Sequence, residues 1–137
     1  MTAEPALEAL TPIEKERDIV TARQRGRELA AAAGFTRTDQ TLIATAISEV
    51  ARNILVYADH GEVLLRVVQD GGRRGIVVEA RDDGPGIADI ELAMRDGYST
   101  AKSLGLGLPG ARRLMDELRV DSELGKGTTV TMKRWVR

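Results

Sequence analysis

The sequence predicts an α/β domain. Three observations carry this. Apolar residues recur at helical spacing over roughly 13–57, the period changes to two from Glu62, and glycine turns divide the rest into a further helix and a second hairpin. At 137 residues the chain suits one domain with a core of its own.

Residues 1–12 read as a flexible N-terminal arm with Pro5 and Pro12 as breakers, and 13–137 as the folded domain. The first helix is expected from Ile13 or Glu14, with Ile19, Ala22, Gly26, Leu29, Ala30 and Ala33 on its apolar face and Gly34 as its stop. Gly26 on that face is either a point of close approach or a tolerated defect. Thr36 or Thr38 can cap the second helix, and Asp39 suits its positive end. That helix runs to about Tyr57 on the stripe Ile43, Ala46, Ile47, Val50 and Ile54. On the helical wheel Asn53 falls at the edge of the stripe, between Leu42 and Ala46. Glu49, one turn away, falls just outside the same edge.

From Glu62, Val63, Leu65 and Val67 alternate with Leu64, Arg66 and Val68, and Asp70-Gly71-Gly72 is a turn signal. Gly75 to Arg81 completes a hairpin. Its Ile76, Val78 and Ala80 share one face, while Val77, Glu79 and Arg81 share the other. Continued alternation points Asp82 inward and Asp83 outward. Residues 88–104, with a short helix at 90–95 and Gly97, Ser99, Thr100 and Ser103, form a candidate lid. Pro109 opens a third helix with Leu108, Ala111, Leu114, Met115 and Leu118 on its apolar side. Residues 118–123 and 128–136 form the last hairpin, around Gly125-Lys126-Gly127.

Composition narrows the function. A formal net charge of −1 argues against nonspecific binding to nucleic acid or to an acidic membrane. Without cysteine there is no disulfide framework and no thiolate zinc site, and one histidine, His60, excludes a histidine-rich metal site. The start lacks a signal peptide's basic and apolar regions, and no apolar run approaches a membrane span. A cytoplasmic domain is the expectation.

Three glycine clusters and one acidic helix remain. Gly105-x-Gly107 before a helix is either an anion cradle, where backbone N–H groups and the helix dipole meet phosphate, or a plain loop-to-helix turn. It is not a P-loop, which needs Lys-Ser/Thr after its second glycine. Asp82 is either a carboxylate accepting from an exocyclic amine such as that of adenine, with Gly84 and Gly86 letting a base lie on the backbone, or an ordinary Asp-Gly turn. Gly125-Lys126-Gly127-Thr128 fits any hairpin.

Order and spacing decide between these readings. The chain resembles the ATPase superfamily of DNA gyrase, heat-shock chaperones, histidine kinases and mismatch-repair MutL (GHKL). Glu49-x-x-x-Asn53 matches its N box, Asp82-x-Gly84-x-Gly86 its first glycine box, Gly105-x-Gly107 the second and Gly127-Thr128 the closing one. Ala46 to Ile54, Asp83 to Ile87, Gly107 to Asp116 and Gly125 to Arg137 are similar to the RsbT switch serine kinases, with departures such as 101–104.

The resemblance implies a two-layer α/β sandwich of the GHKL (Bergerat) type. Its mixed, mostly antiparallel sheet is covered on one face by helices, with ATP between them. It implies Glu49 as general base, Asn53 as ligand to Mg²⁺ and Asp82 as the adenine acceptor. Gly84, Gly86, Ile87, Gly105, Leu106, Gly107, Leu108 and Thr128 complete the nucleotide site. Lys102 either reaches a phosphate or is solvated. The implied activity is an ATP- and Mg²⁺-dependent protein serine kinase. Its implied partners are a STAS-domain antagonist, a stressosome scaffold and a PP2C-type phosphatase. Rival readings are an anti-sigma factor kinase and a nucleotide-gated binding module without transfer activity.

Overall fold

A computed structural model describes residues 7–86 and 107–137. In chain order these form β1 (Glu8–Ile13), α1 (Glu16–Ala33), α2 (Arg37–Ala58), β2 (Gly61–Asp70), β3 (Arg73–Asp82), α3 (Gly107–Leu114), β4 (Glu117–Glu123) and β5 (Gly127–Trp135). The strands make one sheet in the order β1-β2-β3-β5-β4, with every pairing among the described residues antiparallel.

Alternation sorts the two sheet faces. Val63, Leu65, Ile76, Val78, Ala80, Val130 and Met132 point inward and join Ile19, Leu29, Ile43, Ile47, Val50 and Ile54 of the helices in one core. Each large aliphatic side chain buried there is worth about 1.5–3 kcal/mol. The opposite face carries charge. Arg66 pairs with Glu79 at 3.0 Å, and Arg81 reaches Glu79 at 2.5 Å and Glu62 at 3.6 Å. This is the expected two-layer sandwich with helices on one face.

The second half of the expected N-terminal arm is instead a strand. β1 pairs with β2 from Glu8↔Arg66 to Ile13↔Gly61, and its inward residues Thr11 and Ile13 are buried. Pro12 signals a break only if every strand residue must donate. β1 is an edge strand, where a missing N–H is tolerated. The first helix therefore starts at Glu16 rather than at Ile13 or Glu14. Asp18 accepts from the N–H groups of Glu14 and Lys15, both at 2.9 Å.

Gly34 ends α1 as expected, its N–H and that of Phe35 returning to the carbonyls of Ala31 and Ala30. Gly26 is a point of close approach: a Cβ there would lie 2.1 Å from Ile47 Cδ1. Thr36, not Thr38, caps α2, accepting from the Asp39 N–H at 3.2 Å. Leu118 belongs to β4 rather than to the third helix, which begins at Gly107 and stops at Leu114. Arg134 ties these pieces together. Its guanidinium donates to the Leu114 carbonyl at the end of α3 and to the Asp39 carboxylate at the start of α2.

Among the described residues α2 is the one helix long and apolar enough to cross a membrane, yet nine of its residues are buried inside this domain.

Candidate functional site

The candidate site's first end is built by the sheet. Asp82 ends β3 opposite Thr128 on β5 and Gly61 on β2. It is half-buried and Asp83 is exposed, as the alternation requires. Asp82 Oδ1 accepts from the Gly84 N–H at 2.9 Å, so the local Asp-Gly turn is real. A carboxylate has about four acceptor sites, which leaves capacity for an external donor. Burial pushes the Asp82 carboxyl above its ordinary value. The N–H groups of Gly84 and Thr128 pull it back, Asp83 adds to the rise and His60 opposes it.

The glycines here answer first to the protein's own packing. A Cβ on Gly84 would lie 2.6 Å from the Ala58 Cβ, and one on Gly86 would lie 2.4 Å from the Glu123 carbonyl oxygen. Gly127 is the tightest. Its φ is +103° and a Cβ would sit 2.0 Å from the Asp82 carbonyl oxygen. The Pro85 carbonyl accepts from the Gly125 N–H at 3.0 Å. The loop after β3 is thus clamped between the end of α2 and the β4–β5 turn.

The second end is built by helices. Glu49 and Asn53 lie one turn apart on α2, and α3 packs across that side. Glu49 is only 6% exposed, deeper than the wheel placed it, while Asn53 is partly exposed. The helical wheel of α2 alone could not show this, because the cover comes from α3. The Glu49 carboxylate is buried with partners, as a charge must be. Its Oε2 accepts from the Gly107 N–H at 3.0 Å, at the N-terminus of α3, where the helix dipole favours an anion. Its Oε1 lies 3.4 Å from Arg52 Nη1. Leu108 is buried beside Gly107, whose φ of +67° suits glycine.

The described structure brings together Glu49, Gly107 and Leu108, and separately Asp82, Gly84, Gly86 and Thr128. Ile87, Gly105, Leu106, Lys102, the candidate lid at 88–104 and its short helix at 90–95 lie outside the described residues. Two residues join the site that motif reading missed. Arg52 pairs with Glu49, a contact that its three-residue spacing signals. Ser122 Oγ lies 2.9 Å from Thr128 Oγ1 and donates to the Gly127 carbonyl, a cross-strand contact that no spacing announces.

This geometry has relatives. The family model for the histidine kinase-like ATPase domain matches residues 12–134. The chain is 50% identical over 122 residues to serine/threonine-protein kinase RsbT of Bacillus subtilis, covering 89% of this chain and 92% of that one. It is 34% identical over 100 residues to the anti-sigma F factor of Thermoanaerobacter sp. (strain X514), covering 69% of this chain and 68% of the other. In fold it is similar to the crystal structure of the RsbU and RsbW domains of Rv1364c from Mycobacterium tuberculosis. The TM-score is 0.68 at 23% identity, over 97% of this chain and 34% of that longer one. The chain belongs to the histidine kinase-like ATPase family, as an RsbT-type serine/threonine kinase that binds ATP.

Proposed function

We propose that this kinase transfers the γ-phosphoryl group of ATP to a serine on a STAS-domain antagonist in a cytoplasmic, stress-responsive partner switch. Released from a stressosome scaffold, it would then bind and activate a PP2C-type phosphatase. One observation supports the transfer step above all. Glu49 is a buried carboxylate at the start of α3, one helical turn from Asn53.

In this reading Asp82 accepts from the adenine amine, backed by Thr128 and the clamped loop at Gly84 and Gly86. Gly107 and Leu108, at the N-terminus of α3, face the phosphates. Glu49 takes the proton of the serine hydroxyl as that oxygen bonds to the γ-phosphorus and the bond to ADP breaks. No group of three acidic or histidine side chains gathers among the described residues. Asn53, a neutral oxygen donor, therefore fits Mg²⁺ shared with phosphates better than an all-protein cage does. Mg²⁺, when bound, neutralises charge on the phosphates.

The test is incubation of the protein with γ-labelled ATP and a purified STAS-domain antagonist. The reading predicts label on serine, lost when that serine is replaced by alanine. ATP binding without any transfer would leave a nucleotide-gated binding module. The similarity to anti-sigma F factors favours one further reading, a kinase that also holds a sigma subunit. A pull-down returning a sigma factor, with no antagonist or phosphatase, would select it.

A further inference from the structure

We propose that Glu49 and the nucleotide's phosphate compete for the Gly107 N–H, and that Arg52 takes over the carboxylate when the phosphate wins. Arg52 is then the positioning residue for the base. The competition rests on the proposed placement of the phosphates at α3, and the catalytic half on the proposed kinase reading.

The competition turns on one donor. The Gly107 N–H is spent on Glu49 Oε2 at 3.0 Å, and the contact is buried. One N–H makes one good hydrogen bond, and charge-assisted bonds to an anion are the strong kind. A phosphate oxygen entering at the N-terminus of α3 meets this donor already taken, beside the N–H groups of Leu108 and Gly110. It would also stand beside a buried carboxylate, and two anions at one donor repel. Phosphate that takes this donor must displace Glu49 from it.

Where the carboxylate goes is also fixed. A buried charge needs a partner, and Arg52 already stands 3.4 Å from Oε1 on the next turn of the same helix. That contact is loose, and the Arg52 side chain is 34% exposed, so it has room to swing inward. Without nucleotide the base is tied to the backbone, and with nucleotide it is tied to a side chain that leaves an oxygen free for a hydroxyl.

Calorimetry tests the competition. Glu49→Asp keeps the charge but retracts it by one methylene, out of reach of Gly107. Competition predicts that this variant binds ATP about 3–10-fold more tightly than the parent, with adenosine affinity unchanged. Parent or weaker ATP affinity, with adenosine binding intact, overturns the competition.

Kinetics test the positioning. Arg52→Ala is expected to lower kcat for transfer about 10–100-fold with KM for ATP within twofold, and Arg52→Lys to recover part of kcat. Equal kcat in Arg52→Ala and parent, or a loss that appears only in KM, overturns this role. If the parent itself transfers nothing, the kinase reading fails, while the affinity experiment still decides the competition.

Discussion

The two ends of the pocket are held in different ways. The proposed adenine end is set by strand register and by close contact: Asp82 faces Thr128 across β3 and β5, and the Gly127 Cα sits against the Asp82 carbonyl. At the proposed phosphate end, among the described residues, α3 packs on α2 and one hydrogen bond joins the buried Glu49 carboxylate to the start of α3. The first end is rigid through backbone, and many contacts must break together to move it. The second is joined in part through a side chain, which the proposed competition would let a single ligand oxygen displace. The proposed kinase reading has use for this division, since base recognition would stay fixed during turnover while the phosphate end would change.

The largest expected effect breaks the rigid end. Gly127→Ala adds a Cβ at φ +103° and 2.0 Å from a backbone oxygen. It should destabilise the domain by about 2–4 kcal/mol, read from the urea midpoint. A loss under about 1 kcal/mol would show that the β4–β5 turn yields easily, and the contrast between the ends would collapse.

The next concerns recognition without loss of fold. Asp82→Asn can place an amide donor where the adenine amine needs an acceptor, so ATP binding should weaken by about 1–3 kcal/mol. GTP should bind poorly to the parent, because it presents a carbonyl at that position. Equal ATP affinity in variant and parent would remove Asp82 from the site.

Acid should produce a weaker version of the same change. Burial raises the Asp82 carboxyl above 3.8, so the folded state holds its proton to higher pH than the unfolded chain does. Ionisation of Asp82 therefore removes stability as pH rises through the window from 3.8 to the raised folded value, and protonation within that window stabilises the fold. ATP affinity should run the opposite way and fall as pH drops through the same window. The fall should be smaller than in Asp82→Asn, because a protonated carboxyl keeps an acceptor oxygen. An affinity that is flat with pH across this range would contradict it.

The smallest effect on the site should come from a change far from both ends. Thr36→Ala removes the cap of α2 and should cost about 1 kcal/mol of stability. ATP affinity should stay at the parent value. A coupled loss of affinity would mean that the phosphate end senses the whole of α2, through Asp39 and its bond to Arg134.

The rigid end was also the more legible in the sequence. Strict alternation from Ile76 to Ala80 placed Asp82 inward without knowledge of its neighbours, because period two is a local property. β1 was lost because pairing with β2 is nonlocal and Pro12 carries the same signal in an edge strand as in a loop. The depth of Glu49 was lost for a related reason: the helix that buries it lies 58 residues away in the chain. The motifs located Glu49, Asn53, Gly107 and Thr128, but they did not say that Arg52 or Ser122 would stand beside them. Nor did they say that Gly84 and Gly86 are needed by Ala58 and Glu123 before any ligand arrives.

The division of labour between the ends is tested most directly by two variants assayed side by side for ATP affinity and for single-turnover transfer to the antagonist. Glu49→Gln keeps the shape of the side chain but cannot take a proton. The account predicts that it retains ATP binding and loses transfer by about 10²–10⁴-fold. Asp82→Asn should show the reverse, with weakened binding and near-parent transfer at saturating ATP. Transfer at the parent rate in Glu49→Gln would contradict the assignment of the base, and with it the claim that the phosphate end is where the chemistry happens.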